Sequence, residues 1–263
     1  MPGESVRARI SALVETSVRA LADEVRTVPG GWAVRTWDLP AVWTLNQVHL
    51  EAPTTPAAAA ALTEEHQKDL PYRYVVVDDE PSGRRLAEEL GADAWRADRL
   101  VLMVLPTDGR PPDAGQPSGV ERGIVVLDEQ QATVLMRRWV LEAQAGIAST
   151  ELEEVLEYHR REGRLWNERC FGCLGDDGTP ATMVKLRSDG AVAWLEDVYT
   201  RPEERRRGLA RAVVTFVAGL ARSERPEFTF LLADDDDWPK HLYARVGFTP
   251  VGMRWSFRRS QPF

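Results

Sequence analysis

The sequence predicts a mixed α/β fold in two parts, a larger C-terminal domain behind a smaller N-terminal one. Three observations carry this reading. Apolar runs of strand length alternate with helix-periodic stretches over the last 140 or so residues of the 263. The stretch PTDGRPPDAGQPSGV (106–120), rich in Pro and Gly and without periodicity, reads as a linker. Pieces of the N-terminal part also recur, in order, in the C-terminal part. The expected boundaries are 1–107, a linker at 108–120, and 121–263.

The elements follow from local pattern. Val6, Ile10, Leu13, Val14, Leu21 and Val25 share one face of an N-terminal helix. GIVVLD (123–128) is a strand, and 129–146 a helix with Val134, Leu135 and Trp139 among its apolar positions. A second helix starts near Thr150, with Glu153 placed for a capping box. Its Leu152, Val155, Leu156 and His159 share a face, which makes His159 a packed or boundary histidine. CFGCLG and ATMVKLRS are strands joined at the turn DDGT, and AVAWLEDVYT is a third. A helix over about 206–223, the strand FTFLLAD, a short helix at 238–246 and the strand FTPVGMRWSF complete the order β-α-α-β-β-β-α-β-α-β.

The repeat is degenerate. LNQVHLEAP (45–53) matches LEDVYTRP (195–202), and VVVDDEPSGRRLAEELGA (75–92) matches LLADDDDWPKHLYARVGF (231–248). Leu45 lies over Leu195, Val48 over Val198, Asp78 over Asp234, Leu86 over Leu242 and Gly91 over Gly247. Asn46 stands where the second copy has Glu196, and Ala87 where it has Tyr243.

Composition excludes several classes. A formal net charge of −8 argues against a general nucleic-acid binder. No apolar run reaches the ~18 residues of a membrane span, and charges interrupt any signal-like stretch. Cys170 and Cys173 lack a second pair or a nearby histidine. On a strand, positions i and i+3 face opposite ways, so these read as two unrelated thiols in a reducing, cytoplasmic setting.

The chemistry concentrates in RPEERRRGLARAVV (201–214), with five arginines around one glycine. The stretch joins a strand to a helix. The first N–H groups of that helix have no internal partner and, with the helix dipole, favour an anion. Gly208 allows close approach, Ala210 keeps the next turn slim, and arginines add charge-assisted bonds. A diphosphate cradle is one reading and a solvated arginine-rich helix start the other.

Arg205-Arg206-Arg207-Gly208-Leu209-Ala210 fits R-x-x-G-x-[GA] and resembles the coenzyme-A pyrophosphate loop of the GNAT acyltransferase superfamily. LEDVYTRPEERRRGLA resembles the family's fourth strand and loop, and LYARVGF (242–248) its later motif. The resemblance covers about 122–259, with the N-terminal half as a decayed partial copy. It implies acetyl-CoA as cosubstrate in a split between two central strands. The pantetheine arm would lie along Val198, Tyr199 and Thr200, and the pyrophosphate over Arg205, Arg206, Arg207, Gly208, Leu209, Ala210 and Arg211. The activity implied is transfer of an acetyl group to a primary amine, with no metal. Glu196 would be the general base and Tyr243 the acid that protonates the leaving thiolate. Asp197, expected on the opposite sheet face, is the second choice for the base. Arg206 stands where many members carry Gly, and Asp236 where they often carry Asn. The N-terminal copy, without the arginine loop and the tyrosine, should not bind coenzyme A. A homodimer is compatible with this reading. A non-catalytic acyl-CoA-sensing or protein-interaction module on the same fold is the alternative.

Overall fold

In the computed structural model, residues 2–90, 95–106 and 123–260 are described; the expected linker at 108–120 and Gly91 lie outside them. The chain divides into two compact units. Unit 1 comprises Met1–Leu102, Asp234–Asp237 and Val251–Phe263; unit 2 comprises Met103–Ala233 and Trp238–Pro250.

Unit 1 begins with α1 (Pro2–Leu21), whose Ile10 is fully buried, as its periodicity predicts. Val25 is not on that helix: it lies in β1 (Glu24–Val28) and is exposed. There follow β2 (Gly31–Arg35), β3 (Val48–Leu50), α2 (Pro56–His66), β4 (Tyr72–Val77), α3 (Glu80–Leu90) and the start of β5 (Arg96–Leu105). The strand order is β1-β2-β3-β4 and then the end of the last strand, β11 (Thr249–Ser260), antiparallel to β4. Val48, Leu50, Val75, Val77, Leu86, Trp255 and Phe257 form the core.

Unit 2 holds β6 (Ile124–Leu127), α4 (Glu129–Ala143), α5 (Ser149–Leu165), β7 (Arg169–Leu174), β8 (Pro180–Ser188), β9 (Val192–Thr200), α6 (Leu209–Ser223), β10 (Phe228–Asp234) and α7 (Pro239–Val246). The strand order is β5-β10-β9-β8-β7-β6. The helix–strand sequence expected from pattern is therefore present element by element. α4 is closed at its N-terminus by Asp128, which accepts from Gln131 N at 2.7 Å while Gln131 returns the bond. α5 starts earlier than expected: Glu151 reaches back to Ala148 N at 3.2 Å, and Glu153 instead pairs with Arg137 on α4. On one sheet face, Leu135, Met136, Leu152 and Leu156 pack on Met183 and Tyr199. On the other, α6 buries Val213, Val214 and Val217. Cys170 and Cys173 are buried free thiols; the first lies opposite Lys185 and the second opposite Thr182, on opposite faces.

The order strand-helix-strand-helix-strand, with its first two strands parallel, occurs twice along the chain, as β3-α2-β4-α3-β5 and β9-α6-β10-α7-β11. This is the order of the sequence repeat.

Candidate active site

The site is built where β9 and β10 part. They pair in parallel only at Val192–Phe228, Ala193–Thr229 and Trp194–Phe230. Beyond these pairs, Leu195–Thr200 and Leu231–Asp234 run on without partnering each other. Trp194 and Phe230 stack at 5.1 Å, at the last paired position. Trp194 is thus core, whereas Trp238 is 62% exposed. The opened backbone of β9 includes Val198, Tyr199 and Thr200, the stretch expected to meet a pantetheine arm.

β9 also carries a bulge. Thr182 and Met183 pair with Thr200 and Tyr199, but Lys185 and Leu186 pair with Glu196 and Leu195, one residue out of step. Asp197 and Val198 therefore stand together opposite Val184, and Asp197 takes φ +51°, in the left-handed region. The extra residue overturns the expectation that Asp197 faces away from Glu196. Strict alternation would send neighbours to opposite faces, but the bulge turns the Asp197 carboxylate toward α5. There it lies 2.9 Å from Lys185 Nζ and 3.3 Å from His159 Nδ1. Glu196 shares the face of its cross-strand partner Lys185, so both carboxylates lie on the α5 side.

A knot of buried charge surrounds them. Arg187 meets Glu162 at 2.9 Å and Glu168 at 2.8 Å, and Lys185 meets Glu168 at 3.2 Å. Burial pushes the Glu196 carboxyl up to about 8; Arg187 pulls the other way, while Asp197 and Glu162 add to the rise. Burial also opposes charge on Asp197, but Lys185 and His159 outweigh it and hold Asp197 well below the usual carboxylate range. Two adjacent carboxyls are thereby driven apart, one poised near working pH and one permanently charged.

The arginine loop follows β9. Arg201 is not part of any open surface: it is buried and tied to Asp177, Thr179 and Glu204. Arg206 takes φ +62° and Gly208 φ +80°, and α6 begins only at Leu209 because Gly208 is the left-handed residue before it. No side chain caps α6, and nothing lies within 4 Å of where a Gly208 Cβ would sit. Arg206 and Arg211 are exposed at this opening. Arg205 Nε donates to Thr200 O at 3.0 Å, and its guanidinium meets Glu142 of α4 at 2.5 Å. Arg207 pairs with Glu204 and lies 3.4 Å from Asp176. Glu142 also accepts from the Tyr199 hydroxyl at 3.1 Å; burial first, and then this bond, push that phenol up to about 12. The Tyr199 side chain thus belongs to the helix-covered core and leaves only its backbone for a ligand. Leu209 and Ala210 begin α6, both partly buried.

Tyr243 lies on α7, 93% buried, with its ring edge-on to Phe248 at 6.4 Å. Gly247, at φ +107°, closes that helix, and the pair Gly247–Phe248 reverses the chain into β11. Asp236 is exposed and donates its backbone N–H to Asp234 at 2.8 Å.

The counterpart in unit 1 is shut. β3 and β4 stay paired at Val48–Val75, His49–Val76 and Leu50–Val77, the positions where the repeat places the open stretch of β9 and β10. Asn46, in the place of Glu196, is fully buried: its carbonyl accepts from Thr36 N and its amide donates to Leu39 O and Val42 O. Thr55 accepts from Ala58 N and caps α2, so no free helix terminus remains there. Glu15, His49 and Asp78 gather close enough to hold a metal ion among the described residues. Yet Arg254 already clasps Asp78 at 2.7 Å and Arg7 donates to Asp78 O, so the counter-charge is in place.

His159 is packed, as its helix face predicts, against Trp139 and Tyr158, and Lys185, Arg187 and Glu142 join the site without having been singled out by motif or spacing. The signal was present in MVKLRS, a central strand with two cations at alternate positions; buried cations demand partners, and the partners mark the site.

The family model for acetyltransferases of the GNAT family matches residues 134–248. These residues form a GNAT acetyltransferase domain. Among curated proteins no match is found. A conserved protein of unknown function from Staphylococcus epidermidis is similar over 92% of this chain and 95% of its own, at 12% identity and TM-score 0.67. A GCN5-related N-acetyltransferase from Kribbella flavida is similar over 98% of this chain and 96% of its own, at 18% identity and TM-score 0.62. One from Sphaerobacter thermophilus matches over 77% of this chain and 67% of its own, at 20% identity and TM-score 0.54. At these identities the likeness is one of fold. The GNAT domain supports a general acetyltransferase role, and no helix among the described residues is long and apolar enough to cross a membrane.

Proposed function

We propose that the GNAT domain transfers the acetyl group of acetyl-CoA to a primary amine by direct attack. The observation that carries this reading is the parting of β9 from β10 beside a bulge that sets Glu196 at the opening. The residues fit the donor. The backbone of Val198, Tyr199 and Thr200 would hold the pantetheine arm by strand addition. The uncapped first turn of α6, with Gly208, Leu209, Ala210 and the exposed Arg206 and Arg211, would hold the pyrophosphate. Arg205 and Arg207 flank it, each already steadied by an acid, which fixes their direction before binding. When bound, acetyl-CoA supplies the thioester carbonyl that the amine attacks.

Glu196 takes a proton from the acceptor ammonium, whose ordinary pKa near ~10.4 keeps it charged at neutral pH. A backbone N–H beside the bulge, at Val198 or Tyr199, stabilises charge on the carbonyl oxygen. Tyr243 gives its phenolic proton to the departing thiolate and is restored by the second proton that the acceptor nitrogen sheds as the tetrahedral intermediate collapses to the amide. The N-terminal part, 1–107, is a duplicated GNAT half that has lost donor binding, and its closed β3–β4 register and structural Asn46 support this. The domain at 121–263 does the chemistry, and the two free thiols suit a cytoplasmic setting. The test is thiol release from acetyl-CoA across a panel of primary amines. At least one amine should accelerate release, and Glu196→Gln should abolish that acceleration; a panel with no accelerating amine, or a fully active Glu196→Gln, refutes the assignment.

A further inference from the structure

A cavity of about 240 Å³ opens between the N-terminal half of α4 and the C-terminal half of α5. His159 and Lys185 lie in its wall, and both reach Asp197, the residue next to Glu196. Resting on the function proposed above, we propose that this cavity is the proton exit of the domain, with His159 carrying to solvent the proton that Glu196 takes from the acceptor.

The partly buried base must lose its proton after every turnover, and donor and acceptor would occupy the cleft itself. The other ionisable groups at this spot cannot relay it. Burial works against the charge on Lys185 and Arg187, but the surrounding carboxylates outweigh it and raise both, so neither cation gives up its proton. Glu162 and Glu168 are each engaged by Arg187. Burial lifts the Tyr158 phenol well above its ordinary range and the Cys170 thiol to about 12. Asp197 remains ionised between its cations. Imidazole has two ring nitrogens, one able to accept a proton while the other releases one, and His159 is the imidazole here.

Its setting suits the task. His159 Nδ1 and Asp197 Oδ2 are buried and 3.3 Å apart; the ring nitrogen has no aligned hydrogen-bond partner, while Asp197 Oδ2 also meets Lys185 Nζ at 2.9 Å. The buried ring nitrogen is satisfied when the ring is charged and turns to the carboxylate. Trp139 of α4 and Tyr158 of α5 fix the ring, at 6.1 and 5.0 Å between centroids. The step balances: the Glu196 carboxyl releases H⁺ to a ring nitrogen of His159. The imidazolium releases H⁺ to bulk water across the cavity, and Asp197 keeps its charge throughout.

The experiment uses acetyl-CoA hydrolysis, with water as acceptor, read as thiol release by the full chain. His159→Gln should lower kcat at least about tenfold with KM for acetyl-CoA unchanged. His159→Ala should be equally slow and should recover with added imidazole in a saturable way, since the enlarged cavity admits it. Undiminished turnover in His159→Gln overturns the proposal. So does a loss in His159→Ala that imidazole does not relieve, in protein that still binds acetyl-CoA as wild type does. Glu196→Gln separates the two levels. A slow Glu196→Gln beside a normal His159→Gln removes the exit alone, whereas a normal Glu196→Gln removes the base assignment on which the exit rests.

Discussion

Replacing Asp197 by Asn probes the electrostatics of the site without disturbing the bulge, because Asn tolerates the left-handed conformation that Asp197 adopts at φ +51°. In the wild type the Glu196 carboxyl sits at about 8, so roughly a tenth is ionised at pH 7 and about nine-tenths at pH 9. The rate of thiol release under limiting acceptor should therefore climb about tenfold across that interval, with its midpoint near 8. The Asp197→Asn variant loses a neighbouring negative charge and leaves Lys185, formerly 2.9 Å from that carboxylate, with Glu168 as its remaining carboxylate partner. Both changes favour an ionised Glu196. Two charges some ~7 Å apart at an effective dielectric of ~20 interact by about 2 kcal/mol, and about 1.4 kcal/mol is one pKa unit. The midpoint should fall by at least about one unit. The sign follows from the state needed: the base works ionised, so a lower pKa brings activity to lower pH. The assay is a pH series in the presence of a saturating concentration of acetyl-CoA, with Glu196→Gln as the flat control. A midpoint that stays put, or rises, refutes the electrostatic coupling of the two carboxyls.

Three further outcomes follow from the geometry. Tyr243→Phe should lower kcat about a hundredfold while acetyl-CoA affinity, measured by calorimetry, stays within about twofold; an unchanged kcat would remove the acid role. Asn46→Ala removes three buried hydrogen bonds in unit 1 and strands Thr36 N–H, since Leu39 O and Val42 O keep backbone donors; it should cost about 2 kcal/mol, roughly 4–8 °C in a thermal melt. Gly83→Ala puts a methyl 2.1 Å from Trp255 Cδ1 and should destabilise by about 1–3 kcal/mol in urea unfolding.

Most of the fold of unit 2 was legible because its signals are local. The turn at Asp177–Gly178, the capping of α4 and the apolar stripe of α6 each rest on a few adjacent residues. The arginine loop was legible for the same reason, since a glycine between arginines and an apolar helix has a direct physical meaning. The bulge at Asp197 was not legible, because it exists only as a mismatch between β9 and β8, where Val184 lies 13 residues upstream of Asp197. That one unseen residue reversed the face assigned to Asp197. The charge knot was missed for a related reason: Lys185 and Arg187 find their partners on α5, before β7 and on β9. The last strand behaved likewise, since its pairing with β4 joins residues some 180 positions apart. Asn46 shows the converse: the sequence marks it as a departure from Glu196 in the repeat, and its structural role appears only in its hydrogen bonds.

The central claim is that the opened β9 strand and the uncapped α6 terminus receive acetyl-CoA. Calorimetric titration of acetyl-CoA into the wild type and a Gly208→Val variant tests it most directly. A β-branched residue at φ +80° costs at least about 1–2 kcal/mol and fills the approach to the first turn of α6. The account predicts roughly micromolar binding by the wild type and at least tenfold weaker binding by a variant that still folds. Wild-type protein that takes up no heat from acetyl-CoA, or a variant that binds it equally well, would contradict it.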